Sequence, residues 1–237
     1  MKIQQKIFKP FGSEVTLIIK RTLKLKSISI KIDKNNIKII APFFLSNKKV
    51  DEFIKKKNNW IKKQILIQSN IQPLIKKEYR SGEKFEYLGQ SYALKVIKGI
   101  NYSVKIENDL LITIVKDIEN TIKIKRLIKK WFHEQSNYYF KEKTIFYAKM
   151  NNLNVKSIKV REYKSRWGSC SIEGNITFNW KLIMAPPKII EYVIIHELIH
   201  LKEHNHSPKY WTYVKALYPN IDEAKKWLTY NGESLNI

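Results

Sequence analysis

The segment running from Pro186 to Leu201 constrains this chain more than any other. Pro187 suits the first turn of a helix, and Ile189, Ile190, Val193, Ile194, Ile195, Leu198, Ile199 and Leu201 make the rest of the segment apolar on nearly every face. A helix of that kind belongs inside a core. Yet it carries His196, Glu197 and His200 in the pattern H-E-x-x-H. Burying a carboxylate and two imidazoles is costly unless they meet a partner, and a divalent cation is the simplest one. Positions i and i+4 share a helix face about 6 Å apart along the axis, so two imidazoles there can converge on one ion. Glu197, one step round, can hold a water and take its proton. The bland alternative is a pair of core histidines satisfied by hydrogen bonds. Against it stands their company: four of the five histidines, His196, His200, His204 and His206, fall between positions 196 and 206.

Zinc takes four ligands, and a catalytic site leaves one position open, so a third protein ligand is required. His204 would lie about 12 Å from His196 along a continuing helix, too far for one ion. The sequence instead suggests a helix end. Asn205 tolerates the left-handed conformation, Ser207 is a good N-cap and Pro208 fits the first position of a new helix. His206 sits in that turn and is the preferred third ligand. His204 is the weaker choice, and Asp222 or Glu223 is a further option by analogy with zincins that take a carboxylate from a later helix.

Around this segment the chain reads as α+β, with a strand-rich N-terminal half and a helical C-terminal half. Val15–Ile19, Ser27–Ile32 and Ile37–Ile40 alternate as strands, with a hairpin loop at Asp33–Asn36. Ser46 can cap a helix to about Gln68, with Val50, Phe53, Ile54, Trp60, Ile61 and Ile65 on its buried face. Hairpin-like stretches come next near 84–97 and 102–115, then a long amphipathic helix from about Glu119 to Met150, strands over 157–180, and one or two helices after Ser207. No internal repeat is evident.

Composition narrows the setting. The 237 residues can bury a real core. Forty-five Lys and Arg against 21 Asp and Glu give a net charge of +24, a field that suits nucleic acid or another polyanion. The excess is almost all Lys among abundant Ile and Asn, which nucleotide bias would also produce, whereas base readers lean on Arg. Cys170 is the single cysteine, so no internal disulfide and no cysteine metal cage can form. No signal-peptide core and no membrane-length apolar run is present. The expectation is a soluble cytoplasmic protein without membrane insertion.

The stretch H-E-L-I-H-L-K-E-H-N-H-S-P-K-Y-W resembles the YgjP-like metallopeptidases, metal-dependent hydrolases of the zincin group related to SprT and WLM proteases. Upstream, Arg161, Ser165-Arg166-Trp167-Gly168-Ser169-Cys170-Ser171, Gly174 through Asn179-Trp180, Leu182, Ala185-Pro186 and Glu191-Tyr192-Val193 extend the match. It is dense over 157–213; before about residue 119 it rests on strand order and a Trp-containing helix. The resemblance implies zinc on His196, His200 and His206, with Glu197 as catalytic acid and base. It also implies a short antiparallel sheet beside the active-site helix, and strand Asn175–Trp180 at the edge of the site, where it would pair with an extended peptide. The corresponding division is an N-terminal β-rich region with one helix, 1–118, and a zincin-like domain, 119–237, or else one continuous domain.

Three further residues are assigned to substrate: Arg166, for a carboxylate or oxyanion, although it could equally pair with a buried acid; Asn179; and Tyr210, which with Tyr213 could donate to an oxyanion. Gly168 is read as permitting a tight bend. Cys170 is read as a small buried residue rather than a nucleophile, Trp167 and Trp211 as packing, and His133 as an ordinary histidine. The expected function is zinc-dependent hydrolysis of peptide bonds. Its rivals are hydrolysis of a non-peptide amide or ester, and a DNA-associated SprT-like protease or nucleic-acid-binding protein. Nothing in the motif excludes Mn, Fe or Co in place of zinc.

Overall fold

Alternating apolar residues pair into strands in both halves of the chain. The computed structural model describes residues 3–8, 15–33, 36–70 and 77–237, in two compact units, Met1–Pro73 and Leu74–Ile237. In the first, β1 (Ile3–Phe8), β2 (Val15–Thr22), β3 (Ser29–Asp33) and β4 (Asn36–Pro42) form a sheet of order β1-β2-β4-β3. Strands β2 and β4 run parallel and the other pairs antiparallel. Period-2 alternation puts Leu17, Ile19, Ile37, Ile39 and Ala41 on one buried face, covered by Val50, Ile54 and Ile61. Strand β1 escapes a pattern reading because its apolar residues lie at its ends, and Ile3 and Ile7 are exposed. The tip of the expected 33–36 hairpin, residues 34 and 35, lies outside the described residues.

The helix expected from Ser46 is two helices, α1 (Asn47–Lys56) and α2 (Asn58–Asn70). The Ser46 hydroxyl caps the first by accepting the Lys49 N–H at 3.4 Å. The interruption at Lys57 shifts the helical phase, so Trp60, expected on the buried face, is 45% exposed.

In the second unit, β5 (Lys84–Tyr87), β6 (Gln90–Lys98), β7 (Ser103–Glu107) and β8 (Leu110–Val115) pair in the order β5-β6-β8-β7. Residues 84–115 therefore pack with the C-terminal elements, in the unit that also holds the histidines. The long helix α3 (Thr121–Met150) is capped by the Asn120 side chain, which accepts the Lys123 N–H at 2.9 Å. Its buried stripe repeats every fourth residue: Ile124, Ile128, Phe132, Ser136, Phe140, Thr144 and Ala148. The Ser136 hydroxyl lies 2.9 Å from the Trp180 carbonyl and ties α3 to the 3-10 turn Trp180–Met184.

The third sheet contains β9 (Ser157–Arg161), β10 (Gly168–Cys170) and β11 (Asn175–Asn179), in the order β10-β11-β9. It is mixed rather than antiparallel, because β11 and β9 run parallel. Strand β11, expected at the edge, is central: both its sides are paired, and β10 and β9 are the edge strands. Three helices complete the chain: α4 (Pro187–Ile199), α5 (Pro208–Leu217) and α6 (Ile221–Asn231). Six helices and three small mixed sheets among the described residues make the class α+β. No helix among them is long and apolar enough to cross a membrane.

Candidate active site

Helix α4 is buried around most of its circumference, as its composition requires. Ile189, Ile190, Tyr192, Val193, Ile194, Ile195, Leu198 and Ile199 lie in the core, and Glu197 is buried among them at 5% exposure. The helix stops at Ile199, so His200 is its C-cap. Turn hydrogen bonds from Leu201 to Leu198 and from Lys202 and Glu203 to Ile199 reverse the chain. This end comes well before Asn205, whose φ is not positive, so the expected left-handed Asn205 is not what terminates the helix. The start of α5 matches the sequence expectation closely. Ser207 accepts the Tyr210 N–H at 3.2 Å and Pro208 occupies the first turn.

That short reversal brings His206 to the first two histidines. The nearest ligand atoms of His196, His200 and His206 all lie within 4.8 Å of one another. The Nε2 atoms of His196 and His206 are 3.2 Å apart. Two nitrogens on one tetrahedral zinc at ordinary bond lengths sit roughly 3.3–3.4 Å apart, so this pair fits that ion. His200 Nδ1 lies 3.2 Å from the Glu203 carbonyl, and donation there leaves Nε2 free for a ligand bond. Burial, reinforced by the neighbouring His200, His206 and Lys225, pushes the His196 pKa down to about 3, so the ring is neutral as a metal ligand must be. His196 Nδ1 is buried without a hydrogen-bond partner among the described residues. The donor set suits zinc. His204, Asp222 and Glu223 are outside the cluster among the described residues.

Aromatic rings hold the three histidines in place. Tyr210 is fully buried; its ring stacks on His200 at 4.6 Å between centroids, and its hydroxyl donates to the His196 carbonyl at 2.8 Å. It therefore braces two of the histidines, and its one donor hydrogen is committed to the His196 carbonyl in place of the substrate role expected of it. Trp211 stacks on His206 at 5.6 Å, with Lys225 Nζ 3.5 Å from its ring centre. Tyr213 lies half-buried beneath Lys202 and Lys209.

Burial pushes the Glu197 carboxyl up to about 8, while the Arg166 guanidinium pulls it down. Arg166 is itself exposed, over the Tyr163 ring, and lines a cavity of about 300 Å³ with Lys164, Trp167, Asn179, Lys181 and Glu233 among others. Asn179 is occupied structurally. Its side-chain amide donates to the Tyr163 and Arg166 carbonyls at 3.1 and 3.3 Å, and its oxygen accepts the Lys181 N–H. With only 3% exposure, its amide shapes the 163–166 loop.

Gly168 is the residue whose place sequence reasoning missed. It is not a bend but the first residue of β10, and its φ lies outside the left-handed region. What demands glycine is Glu197. A Cβ there would fall 2.5 Å from Glu197 Oε1, 2.7 Å from Cγ and 2.8 Å from Cδ. A glycine opening a strand, where close approach of another group is a standing reason for it, is the available signal. Cys170, two residues on, is half-buried; burial and the Glu197 charge push its thiol up to about 11, which removes it as a nucleophile. His133 is exposed on α3.

The YgjP-like metallopeptidase domain matches residues 26–231. No curated protein matches the chain in sequence. Among solved structures, the metallopeptidase zymogen of Pyrococcus abyssi abylysin is similar at 22% identity and a TM-score of 0.35, over 38% of this chain and 92% of that one. The metallopeptidase zymogen of Methanocaldococcus jannaschii jannalysin is similar at 22% identity and a TM-score of 0.34, over 36% of this chain and 89% of that one.

Proposed function

The chain belongs to the YgjP-like metallopeptidase family, and from that premise we propose a zinc-dependent peptidase with ligands His196, His200 and His206 and with Glu197 as general base and acid. The observation that carries this reading is the convergence of three imidazoles beside one buried carboxyl. A bound zinc ion supplies Lewis acidity, bringing the pKa of water toward neutrality and polarising a carbonyl. Glu197 takes the proton of the attacking water and returns it to the leaving amine. The exclusion of solvent around Glu197 keeps that proton from exchanging during transfer. Arg166, close enough to act on the Glu197 charge, steadies an anionic group of the substrate or the oxyanion.

A peptide would lie along β10. Ladder bonds from Ser171 N to the Asn175 carbonyl and from Asn179 N to the Trp167 carbonyl direct the odd-numbered residues toward β11. By alternation, the main-chain groups of Gly168 and Cys170 face the free edge. An added strand there would run beside Glu197. The single half-buried cysteine suits a reducing compartment, and the cytoplasm is the location we propose.

The test is Glu197→Gln. Zinc should stay at one ion per chain while peptide turnover falls by at least about 10³-fold. A variant that keeps its zinc and its activity removes Glu197 from the mechanism.

A second reading concerns delivery. Residues 1–73 hold 17 Lys and Arg against four Asp and Glu, so the positive charge is concentrated in the first unit. That density favours a polyanion such as nucleic acid as a partner. Retention on duplex DNA that falls steeply with salt supports it, and no retention at low salt overturns it.

A further inference from the structure

We propose that Gly168 is a positioning residue for the general base, holding the Glu197 carboxyl against the edge strand that receives the substrate. The proposal rests on the peptidase reading for its consequence, but the contact beneath it does not.

The three atoms nearest to a Cβ at Gly168 all belong to the Glu197 side chain, at 2.5–2.8 Å. Glycine in a strand is conformationally expensive, and nothing in the backbone of Gly168 requires it, since its φ is ordinary. The close approach of the Glu197 side chain therefore accounts for the glycine. On the helix side, α4 is buried around nearly its whole circumference and cannot yield. On the strand side, β10 is held in register with β11, Gly168 facing Phe178. The Glu197 side chain thus lies against the main chain of β10 where a Cβ would otherwise stand.

The same residue presents its own N–H and carbonyl to the free edge by the alternation of the ladder. One residue thus touches the base through its missing side chain and would meet the substrate through its main chain. That arrangement sets the distance from base to scissile bond by backbone geometry, the most reproducible ruler in a protein.

A methyl group at 168 meets mainly the mobile end of Glu197. The fold can accommodate it by swinging the carboxyl away, so the effect should appear in chemistry more than in folding. A displacement near 1 Å costs on the order of 100-fold in rate.

The experiment is Gly168→Ala, alone and combined with Glu197→Ala. Gly168→Ala should retain one zinc per chain, keep KM for a peptide substrate within about threefold, and lose about 100-fold in kcat. A kcat within threefold of wild type overturns the proposal, as does activity lost only because zinc is lost. The melting temperature of the metal-free protein reads the contact without catalysis. Gly168→Ala should lower it in the wild-type background and leave it unchanged where Glu197 is already Ala. Equal drops in both backgrounds, or a drop in neither, overturn the contact. If Gly168→Ala alone does not fold, recovery of a folded double variant supports the contact, and failure of both overturns it. A wild type without peptidase activity would count against the proposed function and leave this thermal comparison intact.

Discussion

Each unit of the chain contains a four-stranded sheet with the same strand order and directions: antiparallel, parallel, antiparallel. Each is followed by helix, α1 and α2 in one case and α3 in the other. Strand β3 reads Ser29-Ile30-Lys31-Ile32-Asp33, and its counterpart β7 reads Ser103-Val104-Lys105-Ile106-Glu107. Buried positions correspond as well: Leu17 with Leu94, Ile37 with Leu111, Ala41 with Val115. No repeat is evident in the sequence because the shared residues are those any half-buried strand prefers, while the connections differ in length.

The two sheets differ in attachment and charge. The Leu88–Gly89 turn of the second sheet donates its N–H groups to the Ile183 and Met184 carbonyls at 2.9 and 3.2 Å, just before α4. Gly89 has φ +77, and a Cβ there would fall 2.8 Å from Pro186 Cα. The second sheet thus buttresses the start of the active-site helix. The first unit contributes none of the clustered histidines and carries 17 basic residues against four acidic, whereas residues 74–237 hold 28 against 17. One topology serves as a chemical scaffold in one place and as a charged module in the other, so topology alone does not locate function.

That contrast can be broken at several points. The largest expected effect is His206→Ala, which should weaken zinc binding by more than about 100-fold, the upper end of what losing an outer hydrogen-bond partner costs. His204→Ala should leave zinc affinity unchanged in the same competition titration. Comparable losses in both would move the third ligand.

Next comes the pH dependence of the metal-free protein. The Glu197 carboxyl is raised to about 8 in the fold, so between about 4.5 and 8 the native state keeps a proton that the unfolded chain releases. Stability from this group therefore falls as pH rises through that window and levels off above it. Relative to Glu197→Gln, wild type should lose on the order of 5 kcal/mol across it in urea unfolding. Parallel curves for the two proteins would remove the buried carboxyl as the cause.

Tyr210→Phe keeps the ring on His200 and deletes the hydroxyl from the His196 carbonyl. It should cost about 1–2 kcal/mol in denaturant unfolding, with a modest fall in zinc affinity. A loss of substrate affinity with unchanged stability would restore Tyr210 to the substrate.

The smallest catalytic effect should come from the charged unit. Changing Lys55, Lys56 and Lys57 to Gln should leave hydrolysis of a short peptide within about twofold while lowering the salt slope of DNA retention by up to about 3. A matching loss of hydrolysis would mean that the first unit takes part in the chemistry.

Much of the site could be read directly because it depends on local geometry. The i, i+4 spacing of His196 and His200, the apolar helix around them and the Ser207-Pro208 start of α5 all act over a few residues, where the rise of a helix and the rules of capping hold regardless of context. His206 was within reach for the same reason, since a short turn can only return the chain nearby. Everything that depends on partners distant in sequence had to wait for the fold. Gly168 meets Glu197 across 29 positions, the Tyr210 hydroxyl and the Asn179 amide are consumed by particular carbonyls, and β10 and β9, not β11, hold the edges. Spacing along a helix is set by covalent geometry, whereas which polar groups are spent and which stay open to a substrate is set by how the elements pack.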